Sequence, residues 1–297
     1  MRKSIPTMAA DDARQYMLND EFEIYEKVGI PSGAMEMHFH NFYEIMYIAE
    51  GEFEILLNNT TYQLHPGDIL LIDRNHLHHY QYAEKRHENC RRLLIWVSQT
   101  YLDQISEPGL NLAECFSIST PAWHFPAYHR EHLTNYLMKL IDLETDTRTN
   151  PAEIRILEKS YMALFFVALN QLCRRPEFSF PTEQIHNNPM IRTLTTFINA
   201  HIDETITLDM LADQAGLSKY HFVRVFKDLT GMTVHDFINH KRIIKACEMI
   251  WDGEPLGDLY SRCGFSDYSS FFRNFKAIYD ISPSEFKAFY EKDPELP

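Results

Sequence analysis

The last third of this chain states one pattern twice. Leu211–Phe237 reads LADQAGLSKYHFVRVFKDLTGMTVHDF, and Leu259–Phe286 reads LYSRCGFSDYSSFFRNFKAIYDISPSEF. In each copy a Leu leads by five residues to a Gly, and an apolar residue and a Ser follow. An aromatic–Lys pair (Phe226-Lys227, Phe275-Lys276) then stands eleven residues before a closing Phe. The spacing predicts a helix, a tight turn and a second helix, twice. Gly216 and Gly264 suit the left-handed position just past a helix end. Ser218 and Ser266 suit caps whose hydroxyls accept a free N–H of the next helix. Such a pair is the shape of a helix-turn-helix, whose second helix enters the DNA major groove. The two motifs, at about 208–228 and 256–277, imply sequence-specific binding to double-stranded DNA.

Leu211, Leu217, Phe222 and Phe226, with Leu259, Phe265, Phe271 and Phe275, would be core in any packed helical pair. The residues between them carry the distinction. Segment 218–227 holds Lys219, Arg224 and Lys227 and no acid, and segment 266–276 holds Arg273 and Lys276 against Asp267. A guanidinium can bond guanine O6 and N7 together, so Arg224 and Arg273 are the first candidates for reading base edges. Tyr220, Tyr268 and Ser269 are secondary base-edge candidates. Lys219, Lys227 and Lys276 suit phosphates.

Residues from about Asn188 to Lys287 resemble the C-terminal DNA-binding domain of the AraC/XylS family of bacterial transcription regulators. The resemblance covers both motifs, the connecting helix from Phe237 to Trp251, and the closing signature at Gly264, Phe265, Phe271, Phe275, Lys276, Ser282 and Pro283. It implies two recognition helices that enter successive major grooves about one helical turn apart. Three positions depart from the family pattern. Tyr260 replaces a small residue, Asp280 a turn Gly, and Lys287 a common Arg. Of these, Tyr260 bears on the packing of the second motif.

A chain of 297 residues suits about two domains. Met1 to Leu18 has no apolar run, so no signal peptide is expected, and the most apolar stretch, Met162 to Leu169, is too short to span a bilayer. Five scattered Cys without a C-x-x-C spacing read as reduced thiols of a cytoplasmic protein. The net charge of −14 weighs against DNA binding, and from residue 185 onward 12 Lys and Arg still face 16 Asp and Glu. Phosphate affinity depends on the local potential, however, and five of those 12 cations lie in the two recognition segments.

From residue 21 to about 98 the chain alternates apolar and polar, with expected strands at Phe22–Val28, Met35–His40, Tyr43–Ile48, Phe53–Leu57, Ile69–Ile72 and Leu93–Val97. Asn58-Asn59 and Pro66-Gly67 mark turns. Many short strands at this spacing predict an antiparallel barrel or jelly roll. Two helices follow, at about His129–Thr145 and Pro151–Arg174. The second is apolar on more than one side, which predicts packing on the barrel and on a second copy of the chain. Arg175 to Pro189, with three prolines, reads as a linker. Asn188-Pro189 then opens a new helix. Thr233 with Asp236, and Ser282 with Glu285, match capping boxes at equivalent places in the two halves.

The stretch HFHNFYEIMYIAEG, His38 to Gly51, resembles the first cupin motif, and PGDILLIDRNHLHHY puts His78 near the place of that fold's last metal ligand. His38 and His40 share one strand face, and with Glu44 and His78 they could form an open N3O site. Asp73 and Asn75 stand where the second cupin motif has Pro and Gly. In AraC-type regulators this barrel serves as a sensor, and resemblance to its arabinose-responsive members matches His78-His79-Tyr80 and Trp96 to pocket positions. A Trp face suits stacking on a pyranose, with Tyr and His supplying hydrogen bonds.

The reading is a two-domain α+β chain. Residues 1–175 form a cupin-like β-barrel or jelly roll with two helices, for ligand sensing and dimerisation. Residues 176–187 form the linker, and 188–297 an all-α domain with two helix-turn-helix motifs. The expected partners are double-stranded DNA, a small-molecule effector (a sugar), a second copy of the chain and RNA polymerase, with no membrane. Effector contacts fall to His38, His40, Glu44, His78, Tyr80 and Trp96. No catalytic residue, metal or cofactor is expected. The rivals are a metal-dependent cupin enzyme with a DNA-binding tail and an effector-free dimeric regulator.

Overall fold

The computed structural model describes residues 7–8, 17–29, 38, 40–57, 60–74, 76–81, 90–118, 120–144, 150–181, 185–251, 253–279 and 281–291. The chain divides into two compact units, Met1–His186 and Asn187–Pro297.

Among the described residues the sheets of the first unit contain β1 (Thr7–Met8), β2 (Phe22–Val28), β3 (Tyr43–Glu50), β4 (Phe53–Leu57), β5 (Thr60–Leu64), β6 (Asp68–Ile72), β7 (His78–Gln81), β8 (Arg91–Val97), β9 (Ala122–His124) and, at the unit's end, β10 (Ile185–Asn187). They form a six-stranded sheet in the order β1-β2-β8-β3-β6-β9 and a four-stranded sheet in the order β10-β5-β4-β7. Every pairing around β8, β3 and β6 is antiparallel. Helices α1 (Gln99–Ile105), α2 (Ala127–Glu144) and α3 (Pro151–Cys173) and a 3-10 turn at Leu112–Ser117 complete the layer outside the larger sheet.

Side chains alternate across a strand, so the larger sheet has two distinct faces. Phe22, Ile24, Tyr43, Ile45, Ile69, Leu71, Leu93, Ile95 and Val97 pack under the helices, against Leu133, Leu137, Phe165, Phe166 and Leu169 among others. Met46, Ile48, Leu70, Ile72 and Leu94 face the smaller sheet and join Phe53, Ile55, Leu57, Tyr62 and Leu64 in a second core. Asn170 anchors α3 to the 3-10 turn by donating to the carbonyls of Leu112 (2.9 Å) and Phe166 (2.8 Å).

Strands β2 and β4 lie where the alternation places them, and β3, β6 and β8 each extend by a residue or two. Strands β5, β7, β9 and β10 and helix α1 were not expected. Of the expected strand Met35–His40 only His38 and His40 lie within the described residues, and the Asn58-Asn59 turn lies outside them. The expected linker needs correction. Pro176–Phe178 is a 3-10 turn, with the Phe178 ring against Phe125 and His129. Phe180 is buried in the inter-sheet core beside Tyr62, and Ile185–Asn187 is an edge strand. The prolines punctuate the segment, but its two phenylalanines bury apolar surface in the first unit.

The second unit is helical: α4 (Pro189–Ala200), α5 (Leu208–Ala215), α6 (Lys219–Thr230), α7 (Val234–Trp251), α8 (Leu259–Arg262), α9 (Tyr268–Tyr279) and α10 (Pro283–Glu291). The repeat is structural. Phe222 and Phe226 lie 5.7 Å apart, and Phe226 meets the closing Phe237 edge-on at 5.3 Å. Phe271 and Phe275 lie 5.7 Å apart, and Phe275 meets Phe286 edge-on at 5.3 Å. Both turns close by the same backbone bonds, Leu217 N–H to the Ala212 carbonyl (3.0 Å) and Phe265 N–H to the Tyr260 carbonyl (2.9 Å). Tyr260 therefore serves the turn through its backbone, as Ala212 does, while its ring meets Tyr268 edge-on. Helix α8 nevertheless has 4 residues where α5 has 8.

The capping boxes form: Asp236 N–H donates to Thr233 Oγ1 (3.2 Å) and Ser282 N–H to Glu285 Oε2 (2.7 Å). Two expected caps do not. Ser218 occupies the cap position of α6 without a side-chain cap bond. Helix α9 is capped instead by Asp267, whose Oδ1 accepts from Ser270 N–H (2.7 Å), because a carboxylate one residue closer to the helix displaces the Ser266 hydroxyl.

The two turn glycines differ in surroundings. Both have positive φ, +66° at Gly216 and +86° at Gly264. A Cβ on Gly216 meets nothing within 4 Å, whereas one on Gly264 would lie 2.1 Å from the Ile202 carbonyl oxygen and 2.7 Å from Arg242 Nε, which donates to that oxygen. Gly216→Ala should therefore cost only the left-handed backbone penalty, about 1–2 kcal/mol. Gly264→Ala should cost roughly 3 kcal/mol or more, because backbone strain and a steric clash add. Urea unfolding of the full chain followed by helical circular dichroism compares them, and equal losses would contradict the packing described.

Candidate functional site

Helices α6 and α9 bury their phenylalanines and expose the opposite side. Residues four and three apart share a helix face, so Tyr220, Arg224 and Lys227 form one exposed stripe and Ser269, Arg273 and Lys276 form its counterpart. Lys219 and Tyr268 open their helices at the edge of these stripes. All eight expected DNA-contacting residues are exposed, Tyr220 at 93%. Lys219 Nζ pairs with Asp209 Oδ2 at 2.9 Å, and Arg224 Nε lies 3.8 Å from Asp228 Oδ2. Exposed pairs of this kind are weak and leave the cations available to a phosphate or a base edge. The two stripes are chemically matched in their Arg and Lys and differ at Tyr220 against Ser269.

The inter-sheet space of the first unit is layered by charge. Register places Glu23, Trp96, Glu44 and Ile72 side by side on β2, β8, β3 and β6. The next inward-facing row is Tyr25, Leu94, Met46 and Leu70, and beyond it come Lys27, Arg92 and Ile48. Acids lie at one end, cations at the other, and an apolar row between. Glu23, Lys27 and Arg92 are buried and were not anticipated as interior residues. Their positions two apart from inward-facing neighbours were the available signal.

The acidic end holds the histidines. His38 and His78 pair by two backbone bonds, 3.0 and 2.9 Å, and their rings meet edge-on at 4.1 Å. His40 precedes β3 and Glu44 lies on it. All four are buried. His40 Nδ1 donates to the Phe42 carbonyl at 2.8 Å, and its Nε2 faces Glu44 Oε2 at 2.8 Å. His78 Nδ1 donates to the His76 carbonyl at 2.9 Å, and its Nε2 lies 3.7 Å from the same Glu44 oxygen. Burial pushes the Glu44 carboxyl up, but the His40 hydrogen bond and the attraction of the surrounding imidazoles outweigh it and lower the pKa to about 2. Burial, reinforced by His38 and His40, pushes His78 well below the ordinary imidazole range, against the pull of Glu44.

Trp96 flanks this group. Its ring packs on Phe42 at 4.8 Å and on Tyr25 at 5.6 Å, and Phe42 stacks flat on His40 at 3.9 Å. Five of the six expected effector residues, His38, His40, Glu44, His78 and Trp96, are thus brought together. Tyr80 lies in β7 opposite Ile55, and its side chain is outside the described residues. The N3O set narrows among the described residues: His40, Glu44 and His78 offer atoms within 4.8 Å of one another, and His38 is not in that set. No helix among the described residues is long and apolar enough to cross a membrane.

The model of the AraC-like ligand binding domain family matches residues 26–159, and that of a helix-turn-helix domain family matches 211–288. The chain is 24% identical over 259 residues to the HTH-type transcriptional activator RhaS of Enterobacter sp. (strain 638), covering 87% of this chain and 89% of that one. It is 25% identical over 235 residues to the HTH-type transcriptional regulator YbfI of Bacillus subtilis (strain 168), covering 78% and 79%. It is 24% identical over 277 residues to the activator RhaR of Pectobacterium atrosepticum, covering 92% and 93%. Among solved structures, ToxT from Vibrio cholerae O395 matches with a TM-score of 0.36 at 14% identity, covering 92% of this chain and 99% of that one. With a ligand-binding domain of the AraC type followed by a helix-turn-helix domain, this chain belongs to the AraC family of transcriptional regulators.

Proposed function

We propose that the chain is a sequence-specific DNA-binding regulator of carbohydrate or related small-molecule metabolism, acting in the cytoplasm as a homodimer and not as an enzyme. The observation that carries the DNA-binding reading is the pair of matched exposed stripes, Tyr220-Arg224-Lys227 and Ser269-Arg273-Lys276, each opposite a buried phenylalanine pair. Arg224 and Arg273 read guanine edges, Tyr220, Tyr268 and Ser269 add base-edge contacts, and Lys219, Lys227 and Lys276 hold phosphates. The overall charge of −14 keeps loose, non-specific binding low. The chain's route to transcription is contact with RNA polymerase or exclusion of it.

Arg224→Ala and Arg273→Ala should each weaken binding to a preferred site by roughly 1–3 kcal/mol and relax preference at one base position. Gel-shift titration against single-base variants of that site reads both effects. Unchanged preference in both variants removes these residues as readers.

The effector in this reading is a small polar molecule, such as a sugar, held at the His38, His40, Glu44, His78, Tyr80 and Trp96 end of the inter-sheet space. An aromatic face beside hydrogen-bonding groups in an apolar surround favours it. A ligand at a hundredfold excess over Kd stabilises the fold by about 2.7 kcal/mol. A thermal-shift screen of sugars should therefore give a hit that Trp96→Ala diminishes. A broad screen without a hit favours an effector-free regulator.

Self-association is supported by α3. Its face toward the core buries Met162, Phe165, Phe166 and Leu169, yet Ile156 is 66% and Leu164 48% exposed, with Leu157 half-buried between them. Replacing Leu157 and Leu164 with Glu should convert a dimer to monomers in sedimentation. A monomeric wild-type chain at micromolar concentration would end the dimer reading.

A further inference from the structure

We propose that Val223 contacts the C5-methyl group of a thymine in the half-site read by α6, adding an apolar determinant to a helix whose other candidate readers are polar or charged. The inference rests on the DNA-binding reading and deepens it. Among the described residues of the second unit, the large hydrophobic side chains left exposed are Tyr220, Val223, Tyr268 and Ile281, and the first three lie on α6 or α9. Val223 differs from the two tyrosines in carrying no polar side-chain atom. It is 37% exposed. Standing three residues after Tyr220, beside Arg224 and four before Lys227, it closes one edge of the exposed stripe. Folding gives little reason for a Val there. A β-branched side chain loses rotamer freedom in a helix, and the burial that would offset this is supplied by Phe222 and Phe226.

The surroundings decide the occupant. Lys219, Arg224 and Lys227 flank this apolar spot with positive charge on the same exposed helix, which suits phosphates to either side and a base edge between them. The base pairs present donors and acceptors in the major groove, which polar side chains match, and one apolar group, the thymine methyl. A Val next to an Arg therefore suits a thymine close to the guanine that Arg224 takes. The second motif differs at the equivalent place. Phe272 follows Phe271 as Val223 follows Phe222, but it is half-buried, with its ring 6.0 Å from that of Tyr268. Its apolar surface is partly covered by its own helix, so the assignment is to the first motif alone.

The test removes the methyl from the DNA and the Val from the protein. The full-length chain selects a preferred duplex from a randomised pool, and each thymine of that duplex is replaced in turn by deoxyuridine, which keeps the hydrogen-bonding groups and lacks the methyl. In gel-shift titration the wild-type chain should lose about fourfold in affinity at one thymine, the effect expected from burying one methyl group. Val223→Ala should bind the thymine and deoxyuridine duplexes equally at that position and keep its other base preferences. The substitution lies at an exposed site and raises helix propensity, so the circular dichroism of the chain should not change. A merely structural role for Val223 would weaken binding to all duplexes alike and leave the deoxyuridine penalty in place. That result, or a wild-type chain indifferent to every deoxyuridine, overturns the inference and leaves the regulatory reading standing. Failure to select any preferred duplex overturns the DNA-binding reading and this inference with it.

Discussion

The pairing of β2, β8 and β3 sorts side chains between two environments, and the first unit depends on that sorting. Phe22 and Ile24, Tyr43 and Ile45, and Leu93, Ile95 and Val97 go under the helices. Their immediate neighbours Glu23, Glu44, Trp96 and Arg92 go between the sheets. A slip of one residue in any of these strands would exchange the two sets. Charged groups would then enter a helix-packed core, and the histidine cluster would lose its carboxylate. The apolar face under α2 and α3 therefore holds the polar site in place, although it contributes none of the site's residues.

In the second unit the corresponding constraint is the tight glycine turn followed by a phenylalanine pair. The turn sets where the second helix starts, and Phe222 and Phe226, or Phe271 and Phe275, set its rotation by burying one side. The closing phenylalanine then clamps it, edge-on at 5.3 Å in both halves. Once rotation is set, the exposed stripe follows from helix geometry alone. This explains how a unit with more acids than bases can present a cationic surface: the Lys and Arg of α6 and α9 fall on the face opposite the burial, and most of the acids lie on other elements.

The polar interior of the first unit has a cost that shapes its chemistry. Buried acids and bases need partners. Glu23 accepts from the backbone of Leu18, from Asn19 N–H at 2.6 Å and from the Tyr25 hydroxyl at 2.7 Å, and Glu44 is held ionised by histidines. Acidic and basic ends separated by an apolar row form a space with direction.

The duplicated helical pattern, the turn glycines, the two capping boxes and the eight exposed residues of the recognition segments were legible in the sequence, because helix faces and turns follow from local periodicity and backbone sterics. So were β2 and β4, where alternation is strong, and the candidacy of His38, His40, Glu44, His78 and Trp96. Local pattern did not reveal β5, β7 and β10, which are short and rich in polar residues and exist because a neighbouring strand completes their hydrogen bonds. Nor did it reveal that the proline-rich segment after Arg175 belongs to the first unit, since that depends on where Phe178 and Phe180 find apolar surface. The caps show the same division: Ser218 and Ser266 suited the role by type, but position gave α9 to Asp267. The convergence of His40, Glu44 and His78, and the exclusion of His38 from it, were decided only by tertiary structure, because β3 and β7 belong to different sheets and only their packing brings these side chains to one point.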